Sequence, residues 1–166
     1  MTIRTALLAI SLGASVSPAF AQGEGEAVAS ESGPYAVTSA LNGSCLNGKG
    51  GVLKAGGLLV SAPCQGAAHS KRFYMRPMPD GANMLIVSSP GTNLCVDAPA
   101  APGKQLRLGN CRPDADRQSW SIDRGRLLAT RGGYCAHLES GAQGARVVSG
   151  TCGGGVNERW RLNRIG

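Results

Sequence analysis

Six cysteines, Cys45, Cys64, Cys95, Cys111, Cys135 and Cys152, are the residues through which this 166-residue chain could do covalent chemistry. A thiol acts as a nucleophile or a metal ligand when a base or cation holds it deprotonated; otherwise it can be consumed in a disulfide. The first use lacks its partners. The two histidines, His69 and His137, read as surface or loop residues without metal-ligand spacing, and no G-x-S-x-G, H-E-x-x-H or phosphate-loop pattern occurs. The run Gly153-Gly154-Gly155 is followed by no helix signal, so it reads as a turn and not as a phosphate cradle. No catalytic residue, metal or cofactor is therefore expected.

The start of the chain favours disulfides. Met1–Ala21 has the form of a secretory signal peptide: Arg4 gives a positive n-region, Ala6 to Leu12 an apolar stretch, and Ala19-Phe20-Ala21 a small-x-small cleavage pattern. That stretch is shorter than the about 20 apolar residues a membrane span needs. The expectation is a secreted or periplasmic protein with no membrane span, maturing near Gln22. Cysteines in an exported chain of this size form a disulfide framework, and six of them allow fifteen pairings.

The elements that position these residues are repeated. Cys45 and Cys64 are 19 apart, Cys95 and Cys111 are 16 apart, and Cys135 and Cys152 are 17 apart. Phe73, Trp120 and Trp160 follow the second cysteine of each couple by eight or nine positions, at intervals of 47 and 40 residues. A period of that size signals an internal repeat. Each unit also carries a turn before its first cysteine and a short apolar-rich run before its second, of strand length and bounded by Gly, Pro and Asn. Trp120 to Leu128 reads as two strands joined by a tight turn at Arg124-Gly125, and Phe73 to Leu85 repeats that plan around Pro79-Asp80-Gly81. No sustained 3.6-residue periodicity occurs, so helix content should be low. The reading is an all-β barrel of three units, each with about four strands, over residues 35–77, 78–124 and 125–166. Residues 22–34 form a flexible leader rich in Gly, Ser and Glu.

These residues resemble the ricin B-type lectin family. Gln118-Ser119-Trp120 matches the Q-x-W signature of its repeats, Glu158-Arg159-Trp160 is a one-residue variant, and Lys71-Arg72-Phe73 is the divergent first copy. Cys95-Val96-Asp97, then Cys111, then Gln118-x-Trp120 follows the family's C-x-D … C … Q-x-W order. The resemblance implies a β-trefoil with pseudo-threefold symmetry and with bridges inside each repeat: Cys45 to Cys64, Cys95 to Cys111, Cys135 to Cys152. It further implies that Phe73, Trp120 and Trp160 fill the barrel, while Gln118 and Glu158 tie local backbone.

The same resemblance implies sugar sites. In the family an Asp two residues after the first cysteine accepts from sugar hydroxyls, an Asn three before the tryptophan assists, and a ring shortly before the second cysteine stacks on the sugar. Here the second repeat keeps Asp97 but has Gly109 and Arg117 at the other two positions; the third has Asn157 with His137 and Gly150. The first has Asn47, Ala62 and Ser70. No repeat is complete. Candidate sugar contacts are Asp97, Asn47 and Asn157, with Tyr74 as an outward ring by strand alternation from Phe73, although a cross-strand packing role would suit Tyr74 equally.

From Tyr35 onward 16 basic residues face 7 acidic ones, a formal charge of +9. Such a surface attracts anions, but its arginines are scattered and no nucleic-acid partner is expected. Two functions follow: a carbohydrate-binding module whose partner is a glycan or glycoconjugate, or a protein-interaction subunit similar to the binding subunits of cytolethal distending-type toxins, with sugar binding lost.

Overall fold

The computed structural model describes residues 31–66, 71–79, 81–87, 93–129 and 132–165. The expected signal peptide, His69, Ser70 and the Asp80 turn residue lie outside these. Twelve strands occur among the described residues, and no α-helix. Six form a barrel: β1 (Ser32–Ser39), β4 (Phe73–Pro77), β5 (Asn83–Val87), β8 (Trp120–Asp123), β9 (Arg126–Ala129) and β12 (Trp160–Arg164). Antiparallel neighbours run β12-β1-β4-β5-β8-β9, and an Arg126–Arg159 bridge returns β9 to β12. Closure leaves the barrel without a free edge. Strand β1 begins three residues before the boundary expected at Tyr35, because its N-terminal end also pairs with β4, Ser32 opposite Met75.

The other six strands make three hairpins, β2–β3 (Cys45–Gly48 and Leu59–Ala62), β6–β7 (Leu94–Asp97 and Arg107–Asn110) and β10–β11 (Tyr134–Leu138 and Val147–Thr151). They cap one end of the barrel in a ring, through bridges of Leu58 to Arg107, Gln105 to Val148 and Arg146 to Val60. Backbone bonds from Leu59 N to Leu106 O and from Leu106 N to Val147 O reinforce it. Each repeat contributes four strands, and the pattern is a β-trefoil.

One core joins all three repeats. Phe73, Trp120 and Trp160, each opening a barrel strand, are at most 1% exposed and share one buried cluster with Leu46, Leu59, Leu108, Leu127, Leu138 and Val147. The indole N–H groups are satisfied in register: Trp120 Nε1 donates to Val96 O at 2.9 Å and Trp160 Nε1 to Ala136 O at 2.7 Å. Each acceptor follows the first cysteine of its own repeat. All three disulfides lie within repeats, Cys45–Cys64, Cys95–Cys111 and Cys135–Cys152, with Cα atoms 5.0–5.1 Å apart.

Candidate functional site

Each cap hairpin places the first cysteine of a repeat opposite the residue two before its second cysteine. Cys45 faces Ala62, Cys95 faces Gly109, and Cys135 faces Gly150. Two residues further along lie Asn47, Asp97 and His137, so the three expected sugar positions are equivalent in backbone. Their side chains are not.

In the second repeat Asp97 ends β6 and is 3% exposed. Gln118, at the end of a 3-10 turn over Asp116–Gln118, is fully buried beside it. Its Oε1 accepts from Arg112 N at 2.8 Å, while Nε2 donates to Asn110 O at 2.9 Å and to Asp97 Oδ2 at 3.3 Å. The glutamine thus ties the backbone beyond the hairpin and orients the carboxylate. Arg107, across the ladder, brings Nε to 3.5 Å from Asp97 Oδ1, and Arg117, in the expected helper position, comes to 3.6 Å from Oδ2. Both contacts are ion-pair distances, longer than charge-assisted hydrogen bonds. Asp97 Oδ1 is buried and accepts no hydrogen bond. Gly109 lies close by: a Cβ there would stand 3.0 Å from Gln118 Nε2 and 3.3 Å from Asp97 Oδ2. A side chain would crowd this pair, so the position expected for a stacking ring is empty for a local steric reason.

The third repeat reverses the polarity. Glu158, fully buried in a 3-10 turn over Val156–Glu158, replaces Gln118. Its carboxylate accepts from Gly153 N at 3.0 Å and from Gly154 N, so the glycine N–H groups are taken internally. His137, expected at the surface or in a loop, sits in β10 with its side chain partly exposed, and its Nε2 lies 3.0 Å from Glu158 Oε2 at an angle outside hydrogen-bond geometry. The imidazole lies over Gly150, with ring atoms 3.0 Å from where a Cβ would be. Asn157 Nδ2 is 3.5 Å from His137 Nδ1. His137 and Asn157 therefore come together, and the ring covers Gly150, the position expected for a stacking ring.

In the first repeat Asn47 is 8% exposed and its Oδ1 has no partner. Lys71, in the glutamine position, donates outward to Gln65 O at 2.7 Å and cannot bridge as Gln118 does. Tyr74 does not stand free: it is half-buried and packs with Met78 against the Cys95–Cys111 bridge, the cross-strand alternative. Sequence reasoning missed Arg107 because its nearness to Asp97 depends on hairpin register. Among the described residues, no group of three or more His, Cys, Asp or Glu could hold a metal ion, and no helix is long and apolar enough to cross a membrane.

The model of the ricin-type beta-trefoil lectin domain matches residues 82–166, half of the chain. No curated protein sequence matches it. Among solved structures, it is similar to the designed threefold-symmetric protein ThreeFoil, at 20% identity and TM-score 0.69 over 81% of this chain and 100% of that one. The C-half of the earthworm R-type lectin, solved with GalNAc, aligns at 14% identity and TM-score 0.64 over 79% and 98%. An exo-β-1,3-galactanase from Clostridium thermocellum aligns at 17% identity and TM-score 0.71, over 81% of this chain but 30% of the enzyme. At these identities the structures speak for the fold alone; with the family match over residues 82–166, the chain belongs to the ricin-type β-trefoil lectin family.

Proposed function

We propose that the protein is an exported carbohydrate-binding module without catalytic activity, and that its sugar position is the Asp97 face of the second repeat. The observation that supports this is Asp97 Oδ1, a buried acceptor with no hydrogen bond. An unfilled buried acceptor costs about 1–3 kcal/mol, which a ligand hydroxyl would relieve. Arg107, 44% exposed, can swing aside, and Gly109 leaves no side chain in the way. Three disulfides favour an oxidising compartment. A glycan array with purified protein is the test: binding lost in Asp97→Ala and kept in His137→Ala is the expected result, and binding unaffected by Asp97→Ala overturns the assignment.

One observation favours the protein-interaction reading. Val52 and Leu58, 52% and 38% exposed, edge a recess of about 300 Å³ on the first hairpin, between Lys49 and Lys54. Silence across the array, with a stoichiometric protein partner lost on Val52→Asp, would support that reading over the first.

A further inference from the structure

A second recess lies away from the three hairpin positions. It measures about 370 Å³ and is lined by Ala40, Arg124, Gly125, Val156, Arg159, Trp160 and Arg161. Trp160 is 1% exposed and contributes little more than backbone, so the accessible chemistry is that of three arginines on two small apolar residues. Their charge is poorly compensated. The carboxylate next in sequence, Glu158, is fully buried and turned inward onto Gly153, Gly154 and His137. Asp123 is the other acid nearby, and Arg126 already holds it at 2.8 Å; Arg124 reaches it only at 4.0 Å and is 87% exposed. Arg161 has no side-chain partner among the described residues, and Arg159 is steadied by the carbonyl of Gly154, which carries no formal charge.

The fold does not require these arginines. Aligned on the buried aromatic, the residues flanking Trp160 are Arg159 and Arg161, whereas those flanking Trp120 are Ser119 and Ser121, and those flanking Phe73 are Arg72 and Tyr74. The molecule is its own control: one repeat in three places arginine on both sides. Arg124 adds a second sign. It is the one non-glycine residue with positive φ among the described residues, at +48°, in a tight turn whose next residue is Gly125. Left-handed backbone is disfavoured for arginine, and Asn or Gly would suit the turn better. Strain of this kind concentrates at functional sites.

We infer that this recess is a separate ligand site for the anionic substituent, sulfate or carboxylate, of a polysaccharide. Guanidinium forks match two-oxygen faces of such groups, and three arginines from two chain segments line this recess. Val156 and Ala40 supply a small apolar surface, which suits the C–H edge of a sugar ring. The site stands independently of the Asp97 reading.

Calorimetric titration of the oxidised protein at fixed salt tests it, with a sulfated galactan oligosaccharide, an oligogalacturonate and the desulfated galactan as probes. The expected result is binding of either or both acidic probes, the stronger one naming sulfate or carboxylate, and no binding of the desulfated chain once Asp97→Ala has removed the proposed sugar position. Arg159→Gln with Arg161→Gln should weaken it at least about tenfold, the loss of a single charge-assisted contact or more. Lys49→Gln with Lys54→Gln, an equal charge change on the first hairpin, should not. Arg124→Gly should weaken binding while leaving Tm unchanged or higher, a combination that general destabilisation does not produce. Asp97→Ala should leave acidic binding intact. Equal weakening by the lysine pair, loss on Asp97→Ala, or binding of duplex DNA or anionic phospholipid vesicles as tight as the glycan would overturn the inference.

Discussion

His137 and Glu158 stand 40 residues after Asp97 and Gln118, and both members of the pair have changed together. Gln118 has an amide N–H to give an aspartate, whereas the carboxylate oxygens of Glu158 already accept from Gly153 and Gly154 and would meet an aspartate acceptor to acceptor. Histidine instead places a ring nitrogen 3.0 Å from Glu158 Oε2, outside hydrogen-bond geometry. Replacing Glu158 with Gln removes one of the two oxygens that hold Gly153 N and Gly154 N, and turns an amide N–H toward the imidazole. Chemical denaturation should show a loss of about 1–3 kcal/mol. The double variant Glu158→Gln with His137→Asp recreates the arrangement of the second repeat. It should recover part of that loss, with a coupling of about 0.5–3 kcal/mol; strict additivity would mean the two residues do not act as a pair. The exposed Glu139 offers a pH signal. The hydrogen bond from Arg146 holds its carboxyl below the usual glutamate range. A depressed folded value means that the stabilisation is present above the unfolded value and is lost as pH falls through the folded one. The effect is small and screened by salt at so exposed a pair. In an NMR titration the Glu139 midpoint should move upward in Arg146→Gln.

At the scale of the hairpin, the cystine is the organising feature. Every bridge closes a loop of 16 to 19 residues inside one repeat, which in the chain-entropy account stabilises by about 3 kcal/mol. Cys135→Ser with Cys152→Ser should lower unfolding free energy by about that amount while leaving the other two bridges intact, as measured by denaturant titration and by mass mapping of non-reduced peptides. The couples were legible as spacing, since strands of four or five residues with a turn between them set the distance between bridged positions. What the hairpins do to one another was not. Leu58–Arg107, Gln105–Val148 and Arg146–Val60 join residues more than 40 positions apart, and nothing in local periodicity reports such contacts.

For the whole molecule, the three aromatics in a single cluster imply one cooperative unit and not three separable modules. Thermal unfolding should be a single transition seen alike by far-UV and tryptophan signals. Trp160→Phe removes the indole bond to Ala136 O and leaves a void at the centre of that cluster. It should cost about 1–3 kcal/mol without splitting the transition, because every repeat loses packing together. Two resolved transitions would indicate that the repeats fold independently.

The amino-acid order alone determined the threefold period, the strand-rich class and the grouping of the cysteines into three couples, because each is a matter of short-range spacing and side-chain type; the bridge partners and the burial of Phe73, Trp120 and Trp160 followed from the resemblance to ricin B-type repeats. It also marked Asp97, Asn47 and Asn157 as positions of interest. Tertiary structure decided what those positions can do. Arg107 reaches Asp97 through hairpin register, the ring of His137 covers Gly150, Tyr74 leans on the disulfide of the next repeat, and Arg124 lines one recess with Arg159 and Arg161. Each is a contact across strands, where the direction and reach of side chains, and not their order along the chain, set the chemistry.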